Sequence, residues 1–295
     1  MMNRRNFLQQ AGLASAAMMA GSRMLSAAPA ERRVGLQLYT LREYIGKDVK
    51  GVIARVAAAG YREVEIFGYS KSNHFWGTSA ADFSALLKAH HITSPSGHYG
   101  LDQYLGSEAK LDDLKEWIEV AHTLGHQYLT VPYIADSFRK DADGFKAVAH
   151  KFNKAAALCK QEGLQFAYHN HAFEFEPVGG TTGYEILLKE TDPSLVKFEM
   201  DIYWIVRGGK DPITLFREHP GRFVMWHVKD MDRANPHLNT EVGKGSIDYK
   251  KIFKAAKLSG VTHFIMEQEN FAIDAYESIT ESCRYIRQSL LPVIS

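Results

Sequence analysis

The stretch QFAYHNHAFEF, residues 165–175, begins like a buried strand and ends like a polar site. Its apolar residues Phe166, Ala167 and Tyr168 lead directly into His169, Asn170 and His171. Alternate residues of an extended chain point to the same side, so His169 and His171 share one side. This pattern is typical of a buried strand whose C-terminal end enters a functional site.

Short apolar runs of this kind alternate with amphipathic helical segments through the rest of the chain. The predicted strands are 34–40, 62–68, 92–98, 127–131, 165–169, 196–201, 222–230 and 262–269. The predicted helices are 49–59, 80–90, 107–124, 143–162, 183–190, 211–218, 248–259 and 274–290. Eight strand–helix units predict an α/β fold, a single-domain (β/α)8 TIM barrel over residues 31–295. The alternative is a doubly wound open sheet, but the sequence has no GxGxxG or Walker phosphate loop.

Four glycines support these boundaries. Gly60, Gly125, Gly163 and Gly260 each follow a predicted helix and precede a predicted strand. Glycine accepts the left-handed conformation that ends many helices, so we expect a positive φ at each position.

Residues 1–30 predict a segment separate from the barrel. Arg4 and Arg5 precede a short run rich in alanine and glycine, and a small-residue pattern favours cleavage after Ala28. This arrangement resembles a twin-arginine signal peptide, which predicts a periplasmic or otherwise exported protein with no membrane attachment after cleavage. The alternative is a frayed N-terminus with a chance arginine pair.

The composition limits the classes of partner. The chain has 295 residues, 45% of them hydrophobic, and a formal net charge of +1. A charge this close to zero gives no electrostatic reason to expect nucleic acid or a membrane surface as a partner. The sequence leaves open whether the protein forms a homo-oligomer.

Polar residues cluster late in the predicted strands, where a barrel builds its active site. They are Gln37, Tyr39, Glu65, His98, His169, His171, Glu199, Asp201, His227, Lys229, Glu267 and Glu269. Among them, Asp201, His227 and Glu267 place three metal-ligand types at the ends of three successive strands. Oxygen and imidazole ligands without thiolate suit one divalent ion, either Mn, Mg, Co or Zn.

The chain resembles the xylose-isomerase-like barrel superfamily, the sugar phosphate isomerase/epimerase and endonuclease IV-like group. The motifs that carry this resemblance are GLQLYTLR (35–42), VEIFG (64–68), YHNHAFEF (168–175), EMDIYW (199–204), HVKD (227–230), VGKGSIDY (242–249) and MEQE (266–269). The resemblance implies one divalent ion held by a glutamate, an aspartate, a histidine and a glutamate on strands five to eight. The last three ligands correspond to Asp201, His227 and Glu267.

The fifth strand departs from this pattern. Many relatives have Glu-Asn-His where this chain has His169, Asn170 and His171. Either His169 takes the metal position, or Glu174 folds back to supply the carboxylate. Epimerases of the group use two glutamates as paired bases, so the missing glutamate favours a base built from His171 or His169.

The resemblance implies an enzyme that removes a proton next to a carbonyl of a small carbohydrate substrate. His171 or Glu267 would move the proton, and Lys229 and His98 would stabilise developing charge or hold hydroxyls. The substrate contacts expected are Gln37, Tyr39, Glu65, Phe67, Tyr203 and Trp204.

This chemistry predicts a sugar isomerase or epimerase, and a lyase that cleaves 3-keto-glycosides by β-elimination is the alternative. A non-catalytic sugar-binding barrel and an endonuclease IV-like phosphodiesterase are further alternatives. The phosphodiesterase would need additional histidines and a basic DNA-binding face, and the near-neutral charge argues against such a face.

Overall fold

The barrel predicted from the sequence is present in the computed structural model, which describes residues 33–107 and 111–294. Within these residues, eight parallel strands form a closed barrel. They are β1 (Val34–Gln37), β2 (Glu63–Ile66), β3 (Thr93–His98), β4 (Tyr128–Val131), β5 (Gln165–His169), β6 (Val196–Asp201), β7 (Phe223–Val228) and β8 (His263–Met266). The predicted signal peptide lies outside the described residues.

Helices surround the strands. They are α1 (Arg42–Ile45), α2 (Val49–Ala58), α3 (Ala80–Ala89), α4 (Asp102–Gly106), α5 (Leu111–Leu124), α6 (Ala142–Gln161), α7 (Gly183–Glu190), α8 (Ile202–Arg207), α9 (Pro212–Glu218), α10 (Tyr249–Lys254), α11 (Ala256–Ser259) and α12 (Ala275–Tyr285). None of the helices in the described ranges is both long and apolar enough to cross a membrane.

The first and last strands close the barrel. Leu36 of β1 pairs with Val64 of β2 on one side and with Met266 of β8 on the other. All three side chains are fully buried, so the closure also joins the hydrophobic core. A closed ring of parallel strands excludes the doubly wound open sheet.

The glycine prediction is confirmed. φ is positive at Gly60, Gly125, Gly163 and Gly260, with values of 103°, 74°, 77° and 83°. These positions lie in the left-handed region, where a side chain would strain the backbone. The glycines therefore fix the points at which the chain turns from a helix into the next strand.

The loop after β6 differs from the prediction. The sequence indicated no helix at 202–207, yet α8 begins directly after β6. Asp201 caps this helix, because its carboxylate accepts a hydrogen bond from the Trp204 N–H at 3.1 Å. One residue thus ends a strand, begins a helix and reaches the site with its other oxygen.

Candidate metal centre and active site

The register of the last strands brings the predicted ligands together. His227 of β7 pairs with Asp201 of β6 and with Ile265 of β8, and Glu267 follows two residues after Ile265. One ligand atom each from His169, Asp201, His227 and Glu267 lies within 4.8 Å of the others. We call these four buried residues the ligand group.

The Pro132 carbonyl orients the His169 imidazole. Its Nδ1 lies 3.3 Å from the Pro132 carbonyl oxygen, which can only accept a hydrogen bond. The proton therefore sits on Nδ1, and the Nε2 lone pair faces Asp201 Oδ2 at 3.5 Å. Both of these buried atoms lack a hydrogen-bond partner among the described residues. A cation between them would satisfy both.

The His227 imidazole is oriented in the same way. Its Nε2 lies 2.8 Å from Glu65 Oε2, and its Nδ1 lies 3.2 Å from Glu267 Oε2. Burial raises the pKa of the Glu65 carboxyl, but His98 and His227 outweigh it and lower that pKa well below 4.5. The ionised Glu65 holds a proton on Nε2 and leaves Nδ1 to face the ligand group.

A second group of metal-ligand types lies beside the first, and hydrogen bonds connect its members. It consists of Glu65, His98, Glu199 and His227. His98 Nε2 lies 2.8 Å from Glu199 Oε2 and 3.1 Å from Glu65 Oε2. The Nε2 atoms of His98 and His227 each donate a hydrogen bond to a carboxylate. We therefore interpret the second group as a support for the first.

Gln37 influences which nitrogen of His98 carries a proton. Its Oε1 accepts from the Tyr39 N–H at 3.0 Å, so its amide nitrogen faces Glu65 Oε2 at 2.7 Å and His98 Nδ1 at 3.3 Å. Burial opposes a charge on His98, but Glu65 and Glu199 raise its pKa to about 9. A second proton would have to sit on Nδ1 against the amide N–H. The hydrogen bonds therefore fix one proton on Nε2, where both carboxylates accept it, and the Gln37 amide opposes the second proton that this pKa favours.

These contacts correct the expectation for Gln37 and Glu65, which the sequence assigned to the substrate. Both side chains are fully buried and bonded to the histidines. They lie under the ligand group and do not line the cavity.

The residues of the ligand group fit a divalent cation. Asp201 and Glu267 supply two carboxylates, and His169 Nε2 and His227 Nδ1 are directed toward them. Burial lowers the pKa of His227, but Glu199 and Glu267 outweigh burial and raise this pKa well above 6.5. A proton therefore occupies Nδ1 when no cation is bound. A metal would replace that proton.

Of the two alternatives for the fifth-strand ligand, the structure places His169 in the group and holds Glu174 apart. Glu174 accepts from the Tyr168 hydroxyl at 2.5 Å and from the His171 N–H at 2.9 and 3.0 Å. Burial raises the pKa of Glu174 to about 7. This carboxyl cannot reach the ligand group because it closes the turn after β5 and so positions His171.

His171 lies at the wall of the cavity as a neutral imidazole. Its ring stacks on Phe173, with centroids 5.6 Å apart and an angle of 13°. Burial, His169 and Lys229 lower its pKa well below 6.5. Its Nδ1 has no hydrogen-bond partner in the described part of the chain. Nδ1 is buried, so only a group bound directly against the imidazole could give this ring a proton.

Lys229 is a buried cation in contact with the ligand group. Its Nζ lies 3.1 Å from Glu267 Oε2 and also contacts Glu269. Burial opposes the charge, but Glu267 and the other carboxylates raise the pKa of Lys229 above 10.5. The Tyr249 hydroxyl bonds both the N–H and the carbonyl of Lys229, at 2.8 and 2.7 Å. Lys229 can donate a hydrogen bond but cannot act as a base.

Glu267 is the other expected base, and its Oε2 is already engaged. The same oxygen faces His227 Nδ1 at 3.2 Å and Lys229 Nζ at 3.1 Å. Burial raises its pKa, but Lys229 and His227 reverse this and lower the pKa well below 4.5. An ionised and doubly paired carboxylate of this kind is a weak base.

The ligand group opens into a cavity of about 700 Å³. Its side-chain lining includes Tyr39, Phe67, Tyr69, His98, Tyr99, Trp117, Pro132, Tyr133, His169, His171, Trp204, Lys229, Glu267 and Glu269. Tyr39, Phe67 and Trp204 line it as expected from the sequence. The expectation for Tyr203 needs correction, because its side chain is buried and its hydroxyl bonds the Pro236 carbonyl at 3.0 Å.

The sequence reasoning missed several residues of this lining. Tyr69, Tyr99 and Tyr133 follow strands β2, β3 and β4, so their positions at strand ends could have indicated them. Trp117 lies within α5, and only the packing of this helix brings it to the cavity.

Comparison with known proteins agrees with this architecture. The family model described as xylose isomerase-like TIM barrel matches residues 53–289. An inosose dehydratase from Lacticaseibacillus casei is 27% identical over 165 residues, which cover 49% of this chain and 54% of that protein. The chain thus matches about half the length of this curated relative.

Two solved structures show the same fold. A sugar phosphate isomerase/epimerase from Parabacteroides distasonis has a TM-score of 0.78 and 26% identity, over 93% of this chain and 99% of that one. The IOLI protein with a bound zinc atom has a TM-score of 0.67 and 16% identity, over 89% and 98% of the two chains. The second likeness is one of fold alone.

Proposed function

The chain belongs to the xylose isomerase-like TIM barrel family, and we propose that it is a metal-dependent lyase acting on a sugar-derived ketone. In this reaction, a proton leaves the carbon next to the carbonyl, and a hydroxyl or alkoxyl group leaves the following carbon. The electron pair of the broken C–H bond forms the double bond, and the leaving oxygen takes up a proton. No oxidant or reductant is required.

One contrast between the two expected bases carries this proposal. Glu267 is paired with Lys229 and His227, whereas His171 Nδ1 has no partner among the described residues. An epimerase that inverts a carbon by proton transfer uses a base on each face of the substrate. One free base beside one charged donor suits an elimination better. The name inosose dehydratase of the curated relatives also supports this class.

The residues have distinct roles in the proposed reaction. His169, Asp201, His227 and Glu267 would hold one divalent ion. When bound, such an ion polarises the carbonyl and favours loss of the neighbouring proton. The His171 imidazole accepts that proton, and the Lys229 ammonium donates a hydrogen bond to an oxygen that gains negative charge. His98 is hydrogen-bonded at both ring nitrogens, so its part is to hold Glu65 and Glu199 in place beside the cavity that its ring also lines.

An isomerase or epimerase remains the second candidate. The Parabacteroides distasonis structure, which is 26% identical, carries the name sugar phosphate isomerase/epimerase. The same proton removal would begin both reactions, and they differ in whether the β-substituent leaves or the proton returns.

The test is incubation of the metal-loaded protein with an inosose and with methyl 3-keto-β-glucoside in D2O. We expect loss of the β-substituent, measured by NMR, and solvent deuterium next to the carbonyl only in substrate recovered before elimination, with both slower in His171→Asn. Deuterium exchange and a new stereocentre without loss of the substituent would replace the lyase by the epimerase. Absence of both exchange and loss of the substituent with every substrate would refute proton abstraction altogether. Export through the segment 1–30 remains a separate proposal, tested by locating the mature N-terminus in fractionated cells.

A further inference from the structure

The two sides of the cavity differ in chemistry. The side formed by strands β5 to β8 carries the ionisable residues of the ligand group, with His171 and Lys229. The opposite side lies at the ends of β1 to β3 and along α5, and five aromatic side chains dominate it. We call these residues, Tyr39, Phe67, Tyr69, Tyr99 and Trp117, the aromatic wall.

The cavity has room for more than one ring. Pockets that hold drug-sized ligands have volumes of about 300–1,000 Å³, and this cavity measures about 700 Å³. A single sugar ring at the ligand group would leave the aromatic wall facing water. Tyr39 is 39% exposed although the Arg42 guanidinium lies over its ring, 4.6 Å from the centroid, so part of the tyrosine is still open to the solvent. Exposed apolar surface that lines a cavity commonly marks a binding site.

The wall presents ring faces and few hydroxyls. The Tyr69 hydroxyl bonds Glu116 at 2.8 Å, and the Tyr99 hydroxyl lies 3.3 Å from His126 Nδ1. Tyr39 meets Phe67 edge to face at 5.1 Å, and Tyr99 lies 6.2 Å from Trp117. Two of the three tyrosine hydroxyls of the wall are thus already bonded, so a second sugar ring would find few hydrogen-bond partners here, whereas a planar apolar ring gains from stacking.

On the basis of the proposed function, we propose that the aromatic wall binds an aryl substituent of the sugar-derived substrate. The preferred substrate class is therefore an aryl glycoside whose sugar carries the ketone. The aryl ring packs against Trp117 and Tyr39, and the sugar ring lies at the ligand group. This arrangement places the scissile substituent within one continuous cavity.

The test measures binding without reaction. Methyl and phenyl β-D-glucopyranoside carry no ketone, so their dissociation constants from the full chain, by calorimetry, do not depend on catalysis. We expect phenyl glucoside to bind about tenfold more tightly than methyl glucoside, consistent with the stacking of one aromatic ring in a pocket. Failure of the deuterium experiment would remove the lyase proposal and leave this measurement intact.

Two variants locate the effect. Trp117→Ala and Tyr39→Ala are each expected to reduce the preference for phenyl at least threefold, and the exposed position of Tyr39 keeps its variant independent of folding. Tyr44→Ala is the matched control, because Tyr44 is equally exposed, at 39%, and lies outside the cavity lining. Equal affinity for the two glucosides, including no measurable binding of either, overturns the proposal. The proposal is also overturned if methyl cellobioside binds as tightly as phenyl glucoside, or if both variants keep the preference for phenyl over methyl glucoside.

Discussion

Glu65→Gln should weaken the binding of a divalent metal about tenfold while leaving the barrel folded. Glu65 does not reach the ligand group itself. It acts through His227, whose Nε2 lies 2.8 Å from Glu65 Oε2 and whose Nδ1 faces Asp201 and Glu267. An ionised acceptor behind a metal-binding imidazole fixes its tautomer and makes the opposite nitrogen a better ligand.

The magnitude follows from the hydrogen bonds of Glu65. Its Oε1 accepts from Ser96 at 2.5 Å, and its Oε2 accepts from Gln37 at 2.7 Å and from His227. Glutamine can turn its amide nitrogen to Ser96, whose hydroxyl then donates to Thr130 at 2.8 Å. The number of hydrogen bonds is kept, but the charge is lost. A charge-assisted bond exceeds a neutral one by about 1.4 kcal/mol, which is about tenfold in affinity.

The assay is competition for Mn²⁺ or Zn²⁺ against a chelator of known affinity, with urea unfolding of the same samples. Glu63→Gln is the matched control. Glu63 lies on the same strand, is buried, and pairs with His263 at 2.9 Å away from the ligand group. Wild-type metal affinity in Glu65→Gln would refute the reasoning, as would an equal loss in Glu63→Gln.

Three further outcomes are expected. Asp201→Asn keeps the cap on the Trp204 N–H but removes an anionic ligand, so bound metal measured by elemental analysis should fall at least tenfold; full occupancy would show that the ligand assignment is wrong. Lys229→Met leaves Glu267 buried without its cation and should lower the free energy of unfolding by about 3 kcal/mol in urea at pH 7; unchanged stability would contradict this. Burial lowers the pKa of His126 from 6.5 to about 3 in the folded protein. Between these pH values the unfolded chain therefore binds more protons than the folded chain, and the stability falls as the pH is lowered. Its share of the loss from pH 7.5 to pH 5 is about 2 kcal/mol, and a His126→Gln variant with the same pH dependence as the wild type would refute it.

The sequence alone was sufficient for the fold and for much of the ligand group. Strand and helix periodicity, with glycines such as Gly125 behind helices, predicted eight units, because these signals depend on residues close together in the chain. Asp201, His227 and Glu267 could be singled out since parallel strands of a barrel place their C-terminal ends at one face. Local pattern and strand direction therefore carry this information.

The tertiary structure alone decided which polar residues face which neighbours. His169 and Glu174 are five residues apart and are both metal-ligand types, and only the turn after β5 decides which of them reaches the ligand group. Gln37 and Glu65 lie under the ligand group because the register of β1 to β3 sets the depth of each side chain in the barrel. Trp117 reaches the cavity through the packing of a helix. These are long-range relations of register and packing, which no local pattern in the sequence encodes.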